Sequence, residues 1–167
     1  MERSGLTGQY AIWQIVLHSL SLVLCIAIIA AASYATSFGF GYGEGMASSF
    51  VVAFWALGVD VAEMVALADP KKRLRRCTEL GRGTLEIFTA AICVLLPLFL
   101  YGAAHFTHGC VDKPLNDCEN GDIVRKADRG VTLAMDMAFA VAGLHFIFFI
   151  FACVEYSAKR KQTKGET

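Results

Sequence analysis

The sequence lacks the short motifs on which most soluble enzymes depend. It contains no nucleophile elbow, phosphate-binding loop, metalloprotease motif or paired-cysteine redox motif. Linkers, low-complexity tracts and a convincing internal repeat are missing as well. We therefore predict a single domain that is not an enzyme, with no bound cofactor and no nucleic-acid partner.

Charged residues are also scarce, at 18% of the chain against 56% hydrophobic residues, and their formal charges sum to zero. The apolar residues concentrate in four blocks, at 10–35, 48–68, 84–105 and 131–156. Each block is close to the ~20 residues that a helix needs to cross about 30 Å of hydrocarbon. Open strands would leave unpaired backbone groups in lipid. The predicted fold class is therefore all-α, a polytopic membrane protein whose single domain is a four-transmembrane-helix bundle.

The basic residues predict the orientation of this bundle. Most of the fifteen Lys and Arg residues fall in the amino-terminal stretch, the loop 69–83 and the tail 157–167, which share one side of the membrane. Because basic loops favour the cytosolic side, we expect both termini in the cytosol. A basic run in the loop would also lie against anionic lipid headgroups and is a candidate for binding them. It consists of Lys71, Lys72, Arg73, Arg75 and Arg76.

Two cysteines fall in the long loop that this topology places outside the cytosol. Cys110 and Cys118 lie in an oxidising compartment if the orientation is right, and a disulfide between them would stabilise the loop by ~2–3 kcal/mol. The rival interpretation is a metal site that also uses His105 and His108, but the spacing matches no familiar zinc pattern. We predict the disulfide and no metal.

Ionisable residues inside the apolar blocks are the strongest functional signal, because each costs ~2.5–3.5 kcal/mol at the centre of a membrane helix. His18, Asp60 and His145 lie at a similar depth on three different helices, and Glu63 lies nearer the surface. We predict a polar cluster of these four residues inside the bundle. It could fix the helix register, relay protons or ions, or provide His18 and His145 as axial ligands of a b-type haem.

Two further acidic residues need separate explanations. Asp136 precedes His145 by nine residues, a rotation of about 180°, so it cannot face the same centre. It is expected near the outer boundary, either approached by Arg129 or in contact with another subunit. Glu86 has Arg82 at helical i,i+4 spacing, so we expect these two residues to pair near the cytosolic surface.

Small residues recur every fourth position in the first two blocks, which allows another helix to approach closely. The spacing does not decide whether that helix belongs to the same bundle or to a neighbour. The two sets are Ala27, Ala31 and Ala35, and Gly58, Ala62 and Ala66.

The whole layout resembles small fungal tetraspan proteins of the MARVEL-like type. The shared features are a short cytosolic start, four helices, the loop with Cys110 and Cys118, and the lead into the fourth helix at 125–129 (RKADR), followed by 138–140 (AFA). The resemblance implies a non-enzymatic role in organising membrane subdomains, traffic or a larger membrane complex through lateral protein and lipid contacts. It also implies the plasma membrane or the secretory pathway, and a homo-oligomer or a subunit of a larger complex.

Two other functions remain open at this point. The predicted acid–histidine cluster supports a proton or ion transporter or a channel subunit, and the histidine pair supports a haem-containing redox subunit. A four-helix unit has little room for an alternating-access pathway, which favours the assembly role over independent transport.

Overall fold

The computed structural model describes residues 4–37, 43–68, 79–107 and 121–165 of the chain. Within these ranges it is all-helical and contains no strand, which confirms the predicted fold class. The helices are α1 (Ser4–Thr36), α2 (Gly43–Ala68), α3 (Glu79–Thr107) and α4 (Gly121–Gly165). The predicted disulfide between Cys110 and Cys118 and the basic run at 71–76 lie outside the described residues.

All four helices continue beyond the apolar blocks that predicted them, and the difference is largest for α4. This helix has 45 residues, whereas the fourth block covers only 131–156. An apolar block marks the part of a helix that hydrocarbon can surround, not the point where its backbone hydrogen bonding stops. The flanking segments of α4 are rich in Arg, Lys and Ala and contain no proline, so the helix has no reason to end at the membrane boundary.

Each helix contains a segment long and apolar enough to cross a membrane, and most of that segment faces outward. The segments are Ile12–Thr36, Met46–Leu67, Leu80–Leu98 and Lys126–Ala158, and only 33–39% of each best window is buried inside the bundle. The remaining apolar surface would be unstable in water. It is stable where hydrocarbon surrounds the bundle.

Exposed tryptophan and tyrosine side chains lie near both ends of the apolar surface. Trp13 and Tyr156 are exposed at the end of the bundle where α1 begins and α4 finishes, which we call the terminal end. Tyr34 is exposed at the opposite, far end. Aromatic side chains prefer the boundary between lipid and water. The helical rise from Trp13 to Tyr34 is about 32 Å, close to the hydrocarbon thickness of about 30 Å.

The helices pack in the order α1, α2, α3, α4, with α4 returning to α1 and α2 also touching α4 across the centre. Small buried side chains such as Ala53 and Ala134 fill the far half of the core. We call one set of buried apolar side chains the apolar layer, because it separates the far end from the polar groups described below. Its members are Ile28, Val52, Ala56, Ala138 and Val141, each at most 2% exposed.

The small-residue face of α1 lies inside the bundle. Ala31 and Ala35 are buried, and α4 approaches them at Gly130, where a Cβ would lie 3.1 Å from the Cβ of Ala35 and 3.3 Å from the carbonyl oxygen of Ala31. The corresponding face of α2 is different, since Gly58 and Ala62 are exposed. The first small-residue set therefore serves packing within the chain, and the second points outward.

Candidate functional site

Polar side chains gather in the half of the bundle nearest the terminal end. All four helices contribute to this group, and its members lie between Trp13 and the apolar layer. The buried ones are Gln14, His18 and Ser21 of α1, Asp60 and Glu63 of α2, Arg82, Glu86 and Thr89 of α3, and His145 of α4.

Four of these residues, His18, Asp60, Glu86 and His145, form what we call the deep cluster, and each is 0% exposed. A hydrogen bond of 2.7 Å joins His18 Nδ1 and Asp60 Oδ1. A second, of 2.5 Å, joins His145 Nδ1 and Glu86 Oε2. The other ring nitrogen of His145, Nε2, lies 4.0 Å from Asp60 Oδ1. The order of contacts is therefore His18, Asp60, His145, Glu86.

Phe148 holds the two imidazole rings of the deep cluster in place. Its ring stacks on His18 with the centroids 3.8 Å apart and an interplanar angle of 15°. It meets His145 edge to face at 5.7 Å and 77°. Phe148 is fully buried and lies three residues after His145, on the same face of α4. The ring therefore limits the rotation of both histidines.

A second group, the outer cluster, lies between the deep cluster and the terminal end. It consists of Gln14, Glu63, Arg82 and Glu155. Arg82 Nε lies 3.5 Å from Glu63 Oε2, and Arg82 Nη1 lies 3.6 Å from Glu155 Oε2. These distances are long for charge-assisted hydrogen bonds, so the attraction is mainly electrostatic. Gln14 Nε2 donates a hydrogen bond of 3.3 Å to Glu155 Oε1.

The outer cluster is buried at one end and open at the other. The side chain of Arg82 is only 3% exposed, whereas that of Glu155 is 25% exposed. Glu155 is therefore the point where the buried network reaches the surface at the terminal end.

The structure brings together three of the four residues that the sequence placed in an intramembrane cluster. His18, Asp60 and His145 meet in the deep cluster, whereas Glu63 lies in the outer cluster against Arg82. No ligand or cofactor is needed to hold them in contact, because each histidine has a carboxylate partner.

The predicted pairing of Glu86 with Arg82 is wrong. Glu86 is fully buried and contacts His145 on α4, while Arg82 faces Glu63 and Glu155. Spacing along one helix shows which residues share a face, but the stronger partners here come from neighbouring helices. The polar positions of α3 repeat at intervals of four, three and four, as those of α1 do, which was the available signal. They are Arg82, Glu86, Thr89 and Cys93 on α3, and Gln14, His18, Ser21 and Cys25 on α1.

Asp136 is exposed on the outer surface of α4. Among the described residues it has no hydrogen bond and no ion pair, with Arg129 or any other side chain. Gly130 packs at the level of Tyr34, so Asp136 lies about 9 Å further into the hydrocarbon. Ala140 and Gly143 follow on the same side, both exposed, and nothing lies within 4 Å of a Cβ placed on Gly143. We call Asp136, Ala140 and Gly143 the outward α4 face.

The deep cluster does not fit a haem between His18 and His145. The carboxylate of Asp60 occupies the space between the two imidazoles, at 2.7 Å from one ring and 4.0 Å from the other. Phe148 covers a face of His18 at stacking distance. A porphyrin bound by both histidines would have to displace both neighbours. In the part of the chain that the structure describes, no group of three or more His, Cys, Asp or Glu residues is arranged to hold a metal ion either.

The polar network also does not cross the bundle. From Glu155 it runs inward to the deep cluster. Beyond that point the apolar layer lies between the cluster and the buried Ser48 and Ser49 of α2. A relay of protons or ions would need polar groups or water on both sides of the cluster. Among the described residues, buried acidic and basic side chains extend from the cluster only toward the terminal end.

The fold and the network together define the class, a polytopic α-helical membrane protein with a cluster of ionisable groups buried between its helices. Comparison of the chain with protein-family models, curated proteins and solved structures gives no match.

Proposed function

We propose that this chain is a non-enzymatic tetraspan membrane protein that organises membrane subdomains, traffic or a larger membrane complex through lateral contacts with lipids and proteins. The observation that carries this proposal is the outward α4 face, where Asp136 has no partner within the described residues and lies among small residues.

The interior of the bundle supports the same role. The deep and outer clusters connect all four helices through contacts with one another, and the apolar layer closes the core beyond them. Buried polar contacts of this kind fix the register of membrane helices. The bundle is thus a firmly assembled unit, and its interactions with other molecules take place on its outer surface.

The outward α4 face has the chemistry of a helix–helix contact. A carboxyl group facing hydrocarbon costs ~2.5–3.5 kcal/mol by insertion scales, and contact with another polar group reduces that cost. Ala140 and Gly143 leave room for a second backbone to come close. We propose that the occupant is a second copy of this chain. Two copies with the same orientation run parallel, so their Asp136 side chains meet at one depth, where polar side chains of neighbouring helices hydrogen-bond.

The remaining features of the proposal concern the surroundings of the bundle. Both termini face the cytosol in the plasma membrane or a secretory membrane, the basic run 71–76 contacts anionic headgroups, and Cys110 pairs with Cys118. These features derive from the distribution of basic residues and cysteines in the sequence.

The test is the oligomeric state of the full chain in lipid nanodiscs or native membranes, measured by native mass and by cross-linking. Gly143→Leu would place a bulky side chain on the outward α4 face. Gly58→Leu is the matched control, because Gly58 is also helical, exposed and without neighbours within 4 Å of its Cβ position. We expect the wild type and Gly58→Leu to form dimers or larger assemblies and Gly143→Leu to dissociate into single chains.

Three results would reject this arrangement. A wild-type chain that remains monomeric in membranes removes the proposed self-association. Dissociation by Gly58→Leu but not by Gly143→Leu would move the contact to α2 and show that Asp136 does not define it. If the wild-type chain is recovered with a different protein at fixed stoichiometry, the partner is that protein and not a second copy of this chain.

A further inference from the structure

The buried network carries more negative than positive charge. It contains four carboxyl groups, at Asp60, Glu63, Glu86 and Glu155, but only one guanidinium, at Arg82. With both imidazoles neutral, the single proton on each ring leaves its carboxylate partner ionised. Within this network, three negative charges then remain without a counter-charge unless further protons are bound.

A negative charge without a counter-charge is energetically unfavourable in this position. Asp60, Glu86, His18 and His145 are each 0% exposed, and hydrocarbon surrounds the bundle. One oxygen of each carboxyl and the Nε2 atom of each imidazole have no hydrogen-bond partner among the described residues. Unpartnered polar atoms at such depth are rare in proteins because each loses the hydrogen bonds it would make in water.

His145 is the group placed to carry an additional proton. Its Nδ1 faces the carboxyl of Glu86 at 2.5 Å, and its Nε2 faces the carboxyl of Asp60 at 4.0 Å. A ring protonated on both nitrogens would therefore have an acidic partner on each side. The other titratable groups around the cluster are His18 and Cys25 on α1, Glu63 on α2, Arg82 and Cys93 on α3, and Glu155 on α4.

We propose that the deep cluster is a proton-binding site in which His145 holds one exchangeable proton between Glu86 and Asp60, taken up from the terminal end. The outer cluster marks the side of entry, because Glu155 is 25% exposed and contacts Arg82, which lies one helical turn before Glu86 on α3. The apolar layer closes the opposite side. The site therefore binds and releases a proton at one membrane face without passing it to the other. This inference is independent of the proposed self-association.

The test is nitrogen-15 magnetic resonance of the histidine rings in the full chain in lipid nanodiscs, since ring-nitrogen shifts distinguish an imidazole protonated on one nitrogen from one protonated on both. The His145 signal is identified by its loss in His145→Gln. We expect both nitrogens of His145 to be protonated at pH 6 in the wild type. Glu86→Gln and Asp60→Asn each remove one flanking carboxylate and should lose most of this signal at the same pH. Asp128→Asn, near the far end of α4, should keep it.

The wild-type spectrum alone shows whether the His145 ring carries two protons, even if a variant fails to fold. A singly protonated His145 at pH 6 would overturn the proposal, as would a doubly protonated ring that persists in folded Glu86→Gln and Asp60→Asn. Vesicles that contain the wild-type chain test whether the apolar layer blocks proton passage to the far end. We expect these vesicles to retain an imposed pH gradient. Loss of the gradient with the wild type but not with Asp60→Asn would show that the proton crosses the bundle, and would overturn one-sided access.

Discussion

Replacement of Gly130 by alanine should destabilise the bundle, although the same replacement stabilises most helices. Alanine in place of glycine favours an exposed helix by roughly 0.8–1 kcal/mol. At Gly130, however, the new Cβ would lie 3.1 Å from the Cβ of Ala35 and 3.3 Å from the backbone oxygen of Ala31. Neither atom belongs to a flexible side chain, so α1 and α4 would have to separate. Overpacking of this kind costs about 1–3 kcal/mol, which gives a net loss of up to about 2 kcal/mol.

The matched control is Gly83→Ala on α3. A Cβ at Gly83 would lie 3.6 Å from the Cβ of Ala152 and 3.6 Å from the ring of Phe149, which is ordinary van der Waals contact. This variant should therefore be as stable as the wild type or more stable. The assay is reversible unfolding of the purified chain in mixed detergent micelles, followed by helical circular dichroism. A Gly130→Ala chain that unfolds no more easily than Gly83→Ala would refute the proposed close contact between α1 and α4.

Two further variants test the buried clusters in the same unfolding assay. Arg82→Gln removes the guanidinium between Glu63 and Glu155 and should lower the free energy of unfolding by about 3–5 kcal/mol. Adding Glu63→Gln should restore part of this stability, because it removes one unpaired carboxylate. A double variant that is no more stable than Arg82→Gln would contradict the ion pair. Phe148→Ala should lower the free energy of unfolding by about 3–5 kcal/mol. It should also broaden the magnetic resonance signals of the His18 ring, since the stacked phenyl ring is lost. An unchanged His18 signal would show that Phe148 does not fix that imidazole.

The sequence predicts the fold well because the signal is physically direct. A long apolar helix crosses hydrocarbon with its backbone hydrogen bonds satisfied, whereas an open strand does not, so block length and composition identify the four spans. They do not identify where a helix ends in water. The extension of α4 to Gly121 and Gly165 depends on local helix propensity and neighbouring contacts, which hydropathy does not report.

The site could be predicted only in part. His18, Asp60 and His145 were identifiable because ionisable groups inside an apolar block need partners, and their depths agreed. Glu86 was mispaired because Arg82 is its nearest candidate along the helix, whereas its actual partner is His145 on α4. Which faces of different helices meet is decided by tertiary packing. Without contact information, spacing within one helix could indicate a polar face of α3 but not the residue opposite it.

The length of α4 has a mechanical consequence. Its 45 residues rise about 68 Å, more than twice the hydrocarbon thickness, as one uninterrupted helix. A continuous helix resists bending, so a force applied to one of its projecting ends turns the whole rod about its contacts with α1 and α3. A partner that binds the projecting part of α4 on one side of the membrane would therefore also move the part of α4 on the other side.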